Sequence, residues 1–374
     1  MAGIYIHIPF CKQSCSYCDF HFSTSLKHKS ELIHALVEEI EQRKNQLTGE
    51  INTIYFGGGT PSLLTEDDLK QIIDSVYKNY NIAGDIEFTL ECNPDDLSQN
   101  KLRELQSSGV NRLSIGVQSF DNDELQFFNR AHNSSEAEAS IKRSQDMGFE
   151  NITIDLIYGS PILTDKIWLD NLEKVQGFEV PHLSAYGLTV EPKTALDHQI
   201  KTGTTPNLDD EKTIAQFKTL IQKTKEFGLT QYEVSNFGKD GFYSQHNSNY
   251  WKGEEYLGFG PSAHSYIGDK RFWNVANNVK YIKALENNEA YFQEEKINEK
   301  TAYNEYVLTR LRTIWGIDLD YITSNFSEEI NTHFKQEIKS YLNSSYLHQI
   351  NKKVTLTEEG ILLADKITSD LFFV

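Results

Sequence analysis

Six short β-rich runs fall within the first 190 residues, separated by longer stretches with apolar residues every three or four positions, and this alternation constrains the fold more than any other feature. The runs are Ile4–Ile8, Ile51–Phe56, Ile86–Glu91, Asn111–Val117, Ile152–Tyr158 and His182–Val190. Between them, helices are predicted over Lys29–Gln46, Glu66–Tyr80, Ser98–Ser107, Ser135–Met147 and Lys166–Val175. Gly84, Gly109 and Gly148 stand where helix turns into strand and are expected to supply left-handed caps. Successive strand–helix units make a parallel sheet, the α/β class, either open or curled into a partial TIM-like barrel. Periodicity alone does not separate the two.

After Val190 the rhythm changes. A polar stretch through Pro206 leads to a helix over Asp209–Phe227, a short strand at Gln231–Val234 and an aromatic- and glycine-rich segment at Asn236–Tyr266. From about Glu299 the chain reads as mainly helical, closing with Lys352–Leu356 and a helix over Glu358–Leu371. The expected division is a core at 1–235, a connecting segment at 236–298 and a smaller domain at 299–374.

Asp and Glu outnumber Lys and Arg by 54 to 36, a formal charge of −18. A field of that sign repels polyanions, so no nucleic-acid partner is expected, nor an anionic membrane surface. Met1 to Pro9 lacks the basic flank and long core of a signal peptide, and no apolar run approaches the roughly 20 residues of a membrane span. A cytoplasmic chain that is not an integral membrane protein is expected.

Three of the four cysteines, Cys11, Cys15 and Cys18, lie within eight positions of one another in a C-x3-C-x2-C pattern. Thiols so clustered point to a metal in a reducing compartment. Three thiolates can each take one iron of a cubane, leaving the fourth iron open to an exogenous ligand. The competing reading is a zinc site completed by His7 or His21, although zinc favours paired C-x2-C knuckles and only one pair is present. Cys92, inside a predicted strand, reads as a small buried apolar residue. Because the triplet follows the first strand directly, it belongs at the C-terminal mouth of a parallel barrel, where active sites collect.

Tyr5-Ile-His-Ile-Pro-Phe-Cys11, the C-x3-C-x-Y-C pattern and the following Asp19-Phe20 closely resemble the radical S-adenosylmethionine (SAM) family of oxygen-independent coproporphyrinogen III oxidase and its heme-chaperone branch. The resemblance runs from Ile4 through the C-terminal domain, where Tyr306–Thr313 and Leu356–Gly360 match the family pattern and have a winged-helix look. It implies a three-quarter (β/α)6 barrel carrying a [4Fe–4S] cluster on Cys11, Cys15 and Cys18. SAM would chelate the open iron, from which an electron can cleave it to a 5′-deoxyadenosyl radical. A winged helix often means DNA, but the acidic balance favours packing or partner docking here.

Phe56-Gly-Gly-Gly-Thr-Pro61 follows the second strand, and its glycines allow close backbone approach to a ligand. Taken alone it is a tight turn. The resemblance makes Gly58, Gly59 and Thr60 receivers of the methionine amino group of SAM. Glu91, Gln118, Arg130 and Asp155 sit at or beyond strand ends, where a buried carboxylate is costly unless partnered. An internal Arg130–Asp155 salt bridge would satisfy two of them without a ligand. The resemblance instead assigns all four to SAM, with Tyr5 touching it as well.

The family's two branches differ at readable places. The oxidase branch carries an N-terminal extension and a further cysteine two positions after the third; here Met1 stands ten residues before Cys11, and Phe20 occupies the cysteine's place. His246-Asn-Ser-Asn-Tyr-Trp251 matches the H-N-x-x-Y-W signature of the chaperone branch. That match implies His246 as an axial heme ligand, with Tyr250 and Trp251 shaping the pocket; a loop-capping role is the alternative. His264 is the fallback ligand, and His7 and His132 are expected to hydrogen-bond behind the SAM pocket. The implied cofactors are the cluster, SAM and heme, and the implied partners are heme-accepting proteins such as respiratory cytochromes or reductases. Porphyrinogen decarboxylation by the oxidase chemistry is the alternative activity.

Overall fold

The structure, a computed structural model, describes residues 2–374. Its main sheet begins with β1 (Ala2–Ile8), β2 (Ile51–Gly58), β3 (Ile82–Cys92), β4 (Arg112–Gln118), β5 (Asn151–Tyr158) and β6 (His182–Gly187), each parallel to the next. Side chains alternate along each strand. Ile4, Ile6, Phe88, Leu90, Leu113, Ile115, Ile154 and Leu183 are fully buried against the surrounding helices. The intervening residues are Tyr5, His7, Tyr55, Glu91, Ser114, Asp155 and Ser184, whose mutual contacts place them on the concave side. Parallel strands covered on both faces normally read as continuous apolar runs. Here the concave face is a polar chamber, which gives these strands their two-residue alternation.

The sheet continues past the six expected units with β7 (Thr230–Gln231), β8 (Asn236–Gly238), β9 (Glu255–Phe259), β10 (His264–Ile267), β11 (Lys270–Asn274) and β12 (Phe292–Lys296). Its order, β12-β11-β10-β9-β1-β2-β3-β4-β5-β6-β8-β7, does not close, so the fold is a partial barrel. β9 runs parallel to β1 and covers what would otherwise be a free, strongly apolar edge. Residues 236–298, expected to connect two domains, thus supply five strands of the main sheet.

A buried clip ties this extension to the first helix, Lys29–Gln42. The Glu39 carboxylate is fully inaccessible and accepts from Arg43 Nη1 (3.0 Å), Asn274 Nδ2 (2.8 Å), the Gly260 amide (2.8 Å) and the Tyr281 hydroxyl (2.5 Å). Arg43 also donates to the Gly258 carbonyl and the Ser265 hydroxyl.

The C-terminal part has a core of its own, built from Tyr303, Val307, Phe334, Ile338, Val354 and Ile367 among others. Helices Glu299–Leu311, Leu319–Asn325 and Glu328–Leu342 pack on a small sheet of β13 (Ile317–Asp318), β14 (Leu347–Ile350) and β15 (Lys353–Leu356), the last two forming a hairpin wing. Three expectations need correction. Gly84 lies inside β3 without a left-handed φ, whereas Gly109 (87°) and Gly148 (91°) do turn left-handed. The preceding helix stops at Asn79 and passes through an extended Tyr80 straight into β3, so no cap is needed. The terminal helix is split into Glu358–Ile361 and Ala364–Asp370, and the strand expected at Gln231–Val234 shrinks to the edge strand β7, which ends at Gln231 and pairs with β8.

Candidate cofactor chamber

At the C-terminal ends of the parallel strands opens a cavity of about 440 Å³, within the range of small-molecule sites. Cys11, Cys15 and Cys18 line one side of it on the loop that leaves β1; Gly58, Gly59, Thr60, Glu91, Gln118, Arg130 and Asp155 line the rest. The loop is pinned from outside: the Cys11 amide donates to Ser23 O (3.0 Å), the Ser16 amide to Phe128 O (3.0 Å) and Lys12 to Asp95 (2.6 Å). Arg130 reaches over it, donating from Nη1 to Cys15 Sγ (3.2 Å) and from Nη2 to Asn93 Oδ1 and Gly116 O (both 2.7 Å).

Burial raises the Cys11 thiol, against the pull of the Thr60 hydroxyl, and pushes Cys18 up to about 11. These sulfurs surrender their protons when a cation takes its place, the usual coupling of metal binding to thiol ionisation. Among the described residues, no three His, Cys, Asp or Glu side chains converge on a single ion. Both histidines of the zinc alternative are engaged elsewhere. His7 bonds Tyr5 through Nδ1 (3.1 Å) and the His21 carbonyl through Nε2 (2.9 Å), while His21 Nε2 meets Asn278 Oδ1 (2.7 Å). Three thiols around shared open volume fit a cluster better than an ion. Cys92 ends β3 beside the same cavity, its thiol turned back to Leu90 O (3.5 Å).

Glu91 accepts from Tyr55 Oη (2.8 Å) and from the Gly58 amide (3.1 Å), and burial raises its carboxyl to about 7. Asp155 accepts from Ser114 Oγ (3.1 Å), and burial raises it to about 6. Arg130 forms no ion pair with Asp155 among the described residues, so the internal salt bridge is not formed, and Arg130 Nε has no partner there. Two carboxyls with lone pairs to spare and a guanidinium with an unpartnered Nε thus face the cavity, a set that fits a zwitterionic ligand such as the methionine end of SAM.

The glycine run proves to serve the chain as much as any ligand. A Cβ on Gly59 would stand 2.7 Å from the carbonyls of both Ile8 and Phe10, and Gly58 holds φ +105° against the His7 ring. The run lets β2 press against the cysteine loop. Gln118 ends β4 in a left-handed conformation (φ 67°), aiming it back over Gly116 and Arg130.

A model of the radical SAM superfamily matches residues 5–175, and one of the HemN C-terminal domain matches 297–363. The fold resembles the solved coproporphyrinogen III oxidase (HemN) of Escherichia coli, with a TM-score of 0.86 and 22% identity over 99% of this chain and 90% of that one. Among curated proteins, the heme chaperone HemW of Bacillus subtilis is 34% identical over 372 residues, 98% of either chain. HemW of Lactococcus lactis is 32% identical over 364 residues. The chain belongs to the HemW family. Its radical SAM membership implies a [4Fe–4S] cluster and SAM.

Two site residues expected of a HemW chain lie elsewhere. Tyr5 does not line the cavity; it lies beneath it, its ring 6.1 Å from that of Tyr55 and 6.4 Å from that of His246. His246 is 1% exposed in the concave floor. The Thr53 hydroxyl meets its Nδ1 (2.8 Å) and the Tyr250 hydroxyl its Nε2 (2.7 Å). Glu87 holds the start of its helix, Gln245–Lys252, by accepting from the Gln245 (2.9 Å) and His246 (3.0 Å) amides. With both nitrogens hydrogen-bonded and the ring 1% exposed, the imidazole's lone pair is engaged by a neighbouring hydroxyl, and the motif builds the floor. Its Asn247 is the member that reaches the cavity. Asn93, Tyr55 and Arg112 also line it and were missed; their signal is the two-residue alternation of polar side chains along β2 to β4.

Burial lowers His246 to about 3. The unfolded chain therefore binds a proton between about pH 3 and 6.5 that the folded chain refuses, so this group's stability is present above about pH 6.5 and is lost as pH falls. His246→Asn, which keeps hydrogen bonding without titrating, is expected to shrink the stability difference between pH 7.5 and pH 5 by about 2 kcal/mol. Denaturant unfolding of both proteins at the two pH values checks it; identical differences would mean that the imidazole takes a proton in place.

Proposed function

We propose that this chain binds heme and hands it to heme-requiring acceptor proteins, carrying a [4Fe–4S] cluster on Cys11, Cys15 and Cys18 and SAM in the adjoining chamber. The observation that carries this reading is full-length similarity to relatives named heme chaperone HemW. Phe20, where the oxidase branch has a further cysteine, supports it too; its ring stands 68% exposed on the chamber rim. The oxidase's fold is shared at 22% identity, which speaks to architecture alone.

In this reading Arg130 steadies the Cys15 sulfur and offers its free Nε to a carboxylate. Gly58, Gly59 and Thr60 form the wall nearest the cysteine loop, while Glu91, Gln118 and Asp155 complete the chamber. With its carboxyl raised to about 7, Glu91 is protonated part of the time at neutral pH and can then donate as well as accept, which suits an uncharged ribose hydroxyl. When bound, the cluster and SAM supply one-electron chemistry. The acceptors are proposed to be respiratory cytochromes or reductases. A cytoplasmic setting agrees with thiols that must stay reduced; no helix is long and apolar enough to cross a membrane among the described residues.

The test is anaerobic. Reconstituted protein is expected to take up heme with a change in the heme spectrum and to pass it to an apo-cytochrome. Conversion of coproporphyrinogen to protoporphyrinogen with SAM and reductant, without stable heme uptake, would overturn the reading.

A further inference from the structure

With His246 sealed in the floor, a heme carrier needs another ligand. The chain has 11 histidines. His7, His182 and His246 are buried with both ring nitrogens hydrogen-bonded. His132 is buried against the Val117 carbonyl, and His333 faces the carbonyl of Leu371 in the C-terminal core. Among the described residues, no aromatic ring pairs with His28, His34, His198 or His348, and His21 is tied to Asn278.

His264 differs from all of these. It is exposed, its imidazole makes no hydrogen bond among the described residues, and its ring lies 6.4 Å from that of Trp273 at 25°. The pairing is built into the sheet, because His264 and Trp273 are direct partners across the antiparallel β10–β11 ladder. Their neighbours Ser265 and Phe272 point to the other face, where Ser265 joins the buried Arg43 clip. His264 and Trp273 therefore stand on the concave face. His264 opens β10 just beyond the C-terminal end of β9, at the same end of the sheet as the cysteine loop.

We propose that His264, its ring held in orientation by Trp273, gives the axial nitrogen to heme iron, so that heme sits on the concave face of the β9–β11 extension rather than in the chamber. This rests on the heme-carrying reading above. A neutral imidazole with a free lone pair is the form iron requires, and partial desolvation on the sheet face, with the Arg271 charge nearby, keeps His264 below its ordinary value. The stacked indole restricts the ring's swing, so less freedom is lost on ligation. The Cys11–Cys18 loop and the heme would then share one end of the barrel as two separate sites.

Heme titration of the anaerobically reconstituted full chain, followed in the Soret region, tests the assignment. Wild type is expected to develop a histidine-ligated spectrum. His264→Ala should bind about tenfold or more weakly, and His264→Met should bind with a shifted spectrum, a signature that a merely structural role would not produce. Trp273→Ala should keep the ligation type and weaken binding, while His34→Ala should match wild type. Far-UV circular dichroism and iron content confirm that each variant is folded and loaded. If wild type binds heme and His264→Ala matches it in affinity and spectrum, this assignment falls while the heme-carrying reading survives. If wild type takes up no heme, both fall.

Discussion

Replacing Cys11, Cys15 and Cys18 together by serine is expected to abolish bound iron and sulfide in anaerobically reconstituted protein, against about four of each in wild type. Hydroxyls are too hard and too weakly acidic to replace thiolates on iron, and no three other candidate ligands among the described residues converge to take over. Cys92→Ser should keep its full complement, since that thiol bonds the Leu90 carbonyl at the cavity's edge. Iron and sulfide analysis with electron paramagnetic resonance of the reduced protein reads the outcome. Retention of the cluster by the triple variant would remove the basis of the whole chamber assignment.

Glu39→Ala is expected to destabilise the chain by about 3–5 kcal/mol, because it leaves Arg43 buried without its counter-charge. Four donors converge on that carboxylate, and they come from the first helix, the β9–β10 turn, β11 and the helix Asn278–Glu286. The loss should therefore concentrate in the sheet extension. Urea unfolding gives the size of the effect, and amide exchange should show β9–β11 opening before β2–β5. A loss under about 1 kcal/mol would mean that water reaches Arg43 in the variant and that the clip does not hold the extension. The consequence reaches function, since His264 and Trp273 stand on that extension.

Much of this molecule is legible along the chain. The strand–helix alternation marks six parallel units because each strand must bury Ile, Leu or Phe under a helix while its other side chains face a chamber. Cysteine spacing marks the loop because three thiols on eight consecutive residues cannot avoid one another. Glu91 and Asp155 could be singled out because a carboxylate in an apolar strand needs a reason, whereas Arg130, in a loop, was marked by the family resemblance; all three line one cavity.

What the sequence by itself determined was therefore local: the strand alternation, the cysteine triplet and the polar residues at strand ends. Tertiary structure alone decided which face each residue joined and whether its polar atoms were already spent. His246 and His264 show the difference. Both are histidines in aromatic, glycine-containing surroundings, yet one is closed in by Thr53 and Tyr250 while the other stands open beside Trp273. Tyr250 stands one helical turn from His246 and Trp273 on the strand next to His264, but Thr53 comes from β2, 193 residues away, and a hydrogen bond or a stacked ring forms only between groups that folding brings within a few ångströms.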